Sequence, residues 1–183
     1  MTNPTEQELA EYLIPLTKGA VAIVDVEDFD YLNQFKWCFN AGYAMRRIPN
    51  PVPKTKPRQI WVLMHRVVNK TPVGLMTDHI NGNILDNRKK NLRSSTHQQN
   101  HFNRSPHKNT KSIFKGVCTT HNSGKWRAYI KVGEKQKHLG LFEYEIDAAK
   151  SYDSAALEYY GEFAHLNFPI ANATAAWRAL DGK

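Results

Sequence analysis

An α+β fold in two successive parts is what this sequence predicts, on three observations. Apolar and aromatic residues alternate in short runs suited to strands, at residues 20–24, 59–63, 126–132 and 138–142. After Glu143 the period lengthens to three and four residues, with Ile146, Ala149, Tyr152, Ala156 and Tyr160 on one stripe, which is helical spacing. Between the two parts, residues 104–112 are basic and polar, contain Ser105-Pro106 and lack any hydrophobic side chain. Such a stretch reads as a linker.

Taken in order, the first part begins with a short helix over residues 5–14, closed by Pro15. The strand at 20–24 follows, then an acidic turn at Asp28 and Asp30, a strand at 35–39 and another at Gly42-Tyr43-Ala44. Pro49, Pro51, Pro53 and Pro57 prevent a regular ladder before the strand at 59–63, which His65 and Arg66 continue. Residues 96–100 form a helix that carries Asn100. In the second part the strands span 113–119, 126–132 and 138–142. Along the middle one, Trp126, Ala128, Ile130 and Val132 face a core while Arg127, Tyr129 and Lys131 face away from it. Alanines on the following helix let it lie close on the sheet, and Gly161 stops it. The tail over 170–183 is expected to be helical.

Charge is distributed unevenly. Residues 46–137 hold 20 Lys and Arg against 3 Asp and Glu, whereas the flanks hold 5 against 14. A block this one-sided, with Trp61, Trp126 and Tyr129 among the cations, points to a polyanionic partner, double-stranded DNA above an acidic protein. No run reaches the length of about 18 apolar residues that a membrane span needs, and Glu6, Glu8 and Glu11 do not fit a signal peptide. The expectation is a soluble, intracellular protein with no membrane partner. Cys38 and Cys118 lie in unrelated segments and are expected to be reduced.

The chemistry concentrates in Asp78-His79-Ile80-Asn81-Gly82, followed by Asn91-Leu92-Arg93 and then Asn100. A carboxylate, an imidazole and carboxamides among cations are what phosphodiester hydrolysis with one divalent metal ion and one general base requires. His79 titrates near neutrality and suits the base. Asp78 is the only carboxylate between Asp30 and Asp86, which makes it a hard-oxygen metal ligand, and Asn100 adds an amide oxygen. Mg2+ fits that set first and Mn2+ second. His97 and His101, four apart and near His107, lack further ligands for zinc. Arg88, Lys89, Lys90, Arg93 and Arg104 read as a phosphate track, with a solvated charged face as the alternative.

Met64-His65-Arg66, the Asp78 to Gly82 turn, Asp86-Asn87-Arg88-Lys89-Lys90-Asn91-Leu92-Arg93 and Asn100 together resemble the HNH (His-Asn-His, ββα-metal) endonucleases of the homing type. The resemblance implies a β-rich N-terminal scaffold leading into a ββα-metal core at about 59–104, with His79 as base. It also implies a role for Asn91 in orienting the His79 ring, with satisfaction of a loop backbone as the alternative. Arg66 would contact phosphate, and the role of His65 stays open. Asp78 and His79, adjacent in sequence, can serve one phosphate only at a strand end or turn.

Residues 112–169 resemble an APETALA/ethylene-response-factor type DNA-binding domain, through Phe114-Lys115-Gly116-Val117, Gly124-Lys125-Trp126-Arg127-Ala128, Leu139-Gly140-Leu141-Phe142 and Leu166-Asn167-Phe168-Pro169. That family lays a three-stranded antiparallel sheet, packed on one helix, in the major groove. Its groove-facing positions fall at Lys115, Cys118, Thr120, Tyr129, Lys131, Gln136 and His138, with Arg127 as a further phosphate contact. Cys118 and Thr120 replace arginines, so the GC-rich preference does not carry over. The chain thus divides into a nuclease domain over 1–104, a basic linker over 105–111, a DNA-binding domain over 112–169 and the tail. The reading is a site-selecting, metal-dependent DNA endonuclease of a mobile element, monomeric or homodimeric. The alternative is a DNA-binding regulator with an inactive nuclease half.

Overall fold

The computed structural model describes residues 12–52, 54–104, 111–120 and 124–169. By contact density the chain separates into two compact units, Met1–His97 and Gln98–Lys183. All but Lys111 of the expected linker over 105–111, the tail at 170–183 and most of the expected N-terminal helix lie outside the described residues.

In the first unit, β1 (Leu13–Pro15) pairs antiparallel with β2 (Val21–Ile23), Leu13 opposite Ile23. The helix expected over 5–14 is therefore a strand where it is described. Ile14 alone points inward while Leu13 and Pro15 stay exposed, a period of two that pairing with β2 enforces over helix propensity. The expected acidic turn is instead the helix α1 (Val26–Asn33). Glu27 and Asp28 in its first turn favour the positive end of the helix dipole, and Leu32 is fully buried.

A three-stranded antiparallel sheet follows, in the order β3 (Cys38–Asn40), β4 (Tyr43–Pro49), β5 (Gln59–Leu63). Ladder pairing ends at Met45 opposite Leu63, and the chain turns at once into α2 (Met64–Asn69). His65 and Arg66 accordingly stand on a helix and not on the strand expected for them. A short apolar run such as Ile60 to Met64 is ambiguous between the two periods, and the burial of Met64, His65 and Val68 is what decides it. The last pair of strands is β6 (Met76–His79) and β7 (Leu92–Ser95), antiparallel, with residues 80–91 looping between them.

One core joins these parts. Ile14, Ala22, Val24, Leu32, Trp37, Ala44, Met64, Val68 and Leu92 are buried together, so the lead-in strands and α1 pack with α2 and β7. The Trp37 indole N–H donates to Leu32 O at 2.8 Å, which satisfies the one polar atom of the largest core side chain.

The second unit holds α3 (His97–Phe102) from Gln98 onward, a three-stranded antiparallel sheet in the order β10-β9-β8, and α4. The strands are β8 (Val117–Thr119), β9 (Trp126–Val132) and β10 (Lys135–Phe142), and α4 is Glu145–Tyr160. Ala128 and Ile130 are buried on one face of β9, while Arg127 and Lys131 are exposed on the other. Ala148, Ala149, Ala155 and Ala156 are buried along α4, small enough for close packing of helix on sheet. Ile146, expected on that stripe, is exposed, so the buried face starts at Ala148. Gly116 has φ +73° and abuts the Tyr152 ring, where any Cβ would overlap. No helix among the described residues is long and apolar enough to cross a membrane.

Candidate active site

His79 closes β6, and the loop it enters is held by its own asparagines. Ile80 N donates to Asn91 O and Gly82 N to His79 O, both at 2.9 Å. The Asn91 side chain spans the loop, accepting from Asn81 N at 2.9 Å and donating to Asp86 O at 2.8 Å. Asn81 donates onward to Asp86 Oδ2 at 3.0 Å. Both polar ends of Asn91 thus act on loop backbone, and it is the buried Asn87 whose side chain faces the His79 ring.

The lead-in strand buttresses the same loop from below. Ile23 N donates to Leu85 O at 2.9 Å, Asn87 N donates to Ile23 O at 2.7 Å, and Asp25 Oδ2 accepts from Lys89 N at 2.7 Å. A loop of 12 residues is entropically costly to order, and these bonds fix its second half while the Ile80–Asn91 bond closes its ends.

Adjacent residues on a strand point apart, yet here both positions are buried, because β6 ends at His79. Asp78 lies opposite Arg93 in the ladder, and the Arg93 fork binds its Oδ2 through Nε at 2.8 Å and Nη2 at 2.7 Å. The His79 ring packs edge-on against His65, with centroids 5.1 Å apart, and Tyr43 stands 5.2 Å from His65 and 6.5 Å from His79. Burial lowers the His79 pKa below its ordinary value, with Asn87, Asp78 and Asp86 opposing. Burial drives that of His65 further, to about 3, helped by repulsion from His79 and Arg66. At neutral pH both rings are neutral, and a neutral imidazole can accept a proton.

Arg66, Arg88, Lys89 and Arg93 around the candidate site are bonded to protein groups, whereas most other Lys and Arg of the first unit are exposed. Arg88 holds the buried Asp86 in two bonds, Nε to Oδ1 and Nη2 to Oδ2, each 2.7 Å, and so keeps that carboxyl well below the usual carboxylate range. Arg66 donates to Leu75 O at 2.8 Å and to the carbonyls of Thr71 and Pro72. Lys89 bridges Glu27 and Asp28 at 3.1 and 3.2 Å. Lys90 and Arg104 are exposed. Asn100 lies on α3, which the contacts assign to the second unit.

In the second unit, the register sets Gln136 opposite Lys131, His138 opposite Tyr129, and Cys118 opposite Arg127. These side chains therefore share the sheet face away from α4. Thr120 closes the β8 turn, its N–H and hydroxyl both on Lys125 O. Lys115 is turned inward, its ammonium donating to Phe102 O at 2.5 Å and Arg104 O at 2.7 Å.

Sequence reasoning passed over Asn81, Asp86 and Asn87 as site residues, and Asp25 as their support. A signal existed. Four asparagines at 81, 83, 87 and 91 form the composition of a loop knitted by side-chain to backbone bonds.

Residues 62–102 match a family model described as HNH endonuclease, a span that runs from β5 through α3. Over 152 residues the chain is 32% identical to an uncharacterised HNH endonuclease of Acanthamoeba polyphaga mimivirus, covering 82% of this chain and 76% of the relative. The chain belongs to the HNH endonuclease family. The HNH match includes every strand of the loop-bearing pair and the helix with Asn100. Over 63 residues the chain is 41% identical to an ethylene-responsive transcription factor of Arabidopsis thaliana and 43% identical to an APETALA2-like protein of Oryza sativa. That stretch is 33% of this chain and only 15% and 14% of those proteins.

Proposed function

We propose that this HNH family member is a site-selecting endonuclease that hydrolyses double-stranded DNA with one divalent cation and His79 as general base, of the kind carried by mobile elements. The observation that carries the reading is the buried trio of Asp78 and His79 at the end of β6 and Asn87 on the braced loop that follows. Neutral His79 takes a proton from the attacking water, and Asn87 and Asp78 favour the imidazolium that results. Asp78, turned by Arg93, and Asn100 would supply oxygens to the cation.

The donor chemistry fits Mg2+ or Mn2+. Among the described residues no three His, Cys, Asp or Glu gather as a metal site, so phosphate and water oxygens would fill the remaining positions, as hard cations favour. When bound, such an ion stabilises charge on the phosphate and on the leaving oxygen. Binding in the absence of DNA is then weak.

The outer sheet face of the second unit, with Arg127, Tyr129, Lys131, Gln136 and His138, would dock on duplex DNA as an APETALA/ethylene-response-factor type domain. Supercoiled plasmid incubated with Mg2+, Mn2+ or chelator tests the reading. Nicked or linear product that requires the cation is expected. Tight DNA binding with no cleavage under any cation would favour a regulator with an inactive nuclease half.

A further inference from the structure

Beyond Met45 the three-stranded sheet of the first unit narrows to a two-stranded ribbon. Strand β3 pairs only with Tyr43, Ala44 and Met45, so the rest of β4 has β5 alone beside it, Arg47 opposite Trp61 and Pro49 opposite Gln59. Asn50 holds the connection at the tip. Its N–H donates to Arg58 O at 2.9 Å, and its side-chain amide donates to Pro57 O at 2.9 Å and to the Thr55 hydroxyl at 3.2 Å. Its Oδ1 accepts from Val52 N at 3.0 Å, and Thr55 donates to Val52 O at 2.8 Å. On this braced tip stand Lys54, Lys56 and Arg58, all exposed.

The two arginines of β4 diverge. Arg46 lies over Phe35 and Trp37, 3.5 and 5.4 Å from their ring centroids, on the core side of the sheet. Arg47 points the other way and lies over Trp61 at 4.5 Å, with both side chains exposed. A guanidinium on a ring face keeps its N–H donors, which lie in its own plane, open to a further partner. Residues 31–77 contain no Asp or Glu, and among the described residues Arg47, Lys54, Lys56 and Arg58 enter no ion pair. Their charge is available to an anion. By strand alternation Tyr43 and Arg47 share a face, and the Tyr43 ring stands 6.5 Å from that of His79. From Tyr43 to Arg47 is about 13 Å along the strand, or about four base pairs of duplex.

We propose that the β4–β5 ribbon is a DNA-reading element of the nuclease unit itself, lying in the major groove beside the scissile phosphate with Arg47 and Trp61 toward the base edges and Lys54, Lys56 and Arg58 on the backbone. It rests on the endonuclease reading above. The major groove admits a two-stranded β-ribbon, and the guanidinium fork matches the O6 and N7 acceptors of guanine. Base pairs within about four of the cut are then chosen by the first unit, whatever the second unit selects.

The test uses the full chain, with duplex affinity measured across a salt series, dimethyl sulfate protection of guanine N7 mapped around the cut, and Mg2+-dependent cleavage followed on the same duplex. Replacing Lys54, Lys56 and Arg58 together by Ala is expected to reduce the slope of log affinity against log salt by about 0.9 for each cation on a phosphate, about 2.7 for all three. Arg47→Ala is expected to lose N7 protection next to the cut and to relax base preference there about tenfold. Should the tip variant keep the wild-type slope, or Arg47→Ala the wild-type protection, on a duplex that wild type cleaves, the ribbon does not read DNA and the endonuclease reading stands. A flatter slope in the tip variant of a chain that binds duplex but cleaves it with no cation would keep the ribbon on DNA and bring down the endonuclease reading alone.

Discussion

The basic residues around the candidate site and those on the outer sheet face of the second unit do different work although the sequence presents them as one block. In the first unit Arg93 is bonded to Asp78, Arg88 to Asp86, Lys89 to Glu27 and Asp28, and Arg66 to carbonyls. In the second, Arg127 and Lys131 project from an exposed sheet face, with Lys131 3.8 Å from the exposed Glu134. Charge density in a sequence therefore does not measure the charge offered to a polyanion. Cations near buried carboxylates are structural, and those on a face whose opposite side is a core are free to meet phosphate.

The largest effect that sharpens this contrast is expected at Asp78. Asp78→Asn keeps the side-chain shape and its place opposite Arg93 but removes the charge, and should leave no measurable cleavage with Mg2+ or Mn2+ in a plasmid assay. Retained activity with either ion would show that the carboxylate serves Arg93 alone. Next comes the response to acid. His65 has a folded pKa of about 3 against 6.5 for the free side chain, so between those values the unfolded chain binds the extra proton. Stability is full above pH 6.5 and falls as pH drops toward 3, by up to roughly 5 kcal/mol from this group. His65→Phe should flatten that part of the urea-unfolding profile, and an unchanged slope would assign the acid sensitivity elsewhere.

A smaller loss is expected at Arg88. Removing it leaves Asp86 buried without its partner, at a cost of about 3 kcal/mol in thermal or urea unfolding, with the salt dependence of DNA binding unaltered. A flatter salt dependence in Arg88→Ala would instead place Arg88 on a phosphate. The smallest effect is the mirror of this one. Lys131→Ala should leave unfolding unchanged and reduce the slope of log affinity against log salt by about 0.9. Destabilisation without a change of slope would erase the distinction between the units.

Much of the second unit was legible in the sequence because alternation and helical period are strong there. Strand β9 and the stop at Gly161 follow from residue pattern alone. The first unit was harder to read. Leu13–Pro15 is a strand only because β2 pairs with it, and His65 is helical because burial of Met64 and Val68 outweighs continuation of β5. Both are tertiary effects that local propensity does not carry. At the site, Asp78 and His79 stood out by their chemistry. Asn87 and Asp25 did not, since their part depends on which backbone groups the fold brings within reach. The inward turn of Lys115 was equally hidden, because a lysine's direction is decided by the carbonyls available to it.

The account turns on His79 as the group that takes the proton from water. The most direct measurement is the single-turnover cleavage rate of His79→Ala against wild type on one duplex at saturating Mn2+, with DNA affinity measured on the same preparations. A fall in rate of roughly two to four orders of magnitude at unchanged affinity is predicted for loss of a general base. Cleavage by His79→Ala at the wild-type rate would contradict it and move the base to another residue.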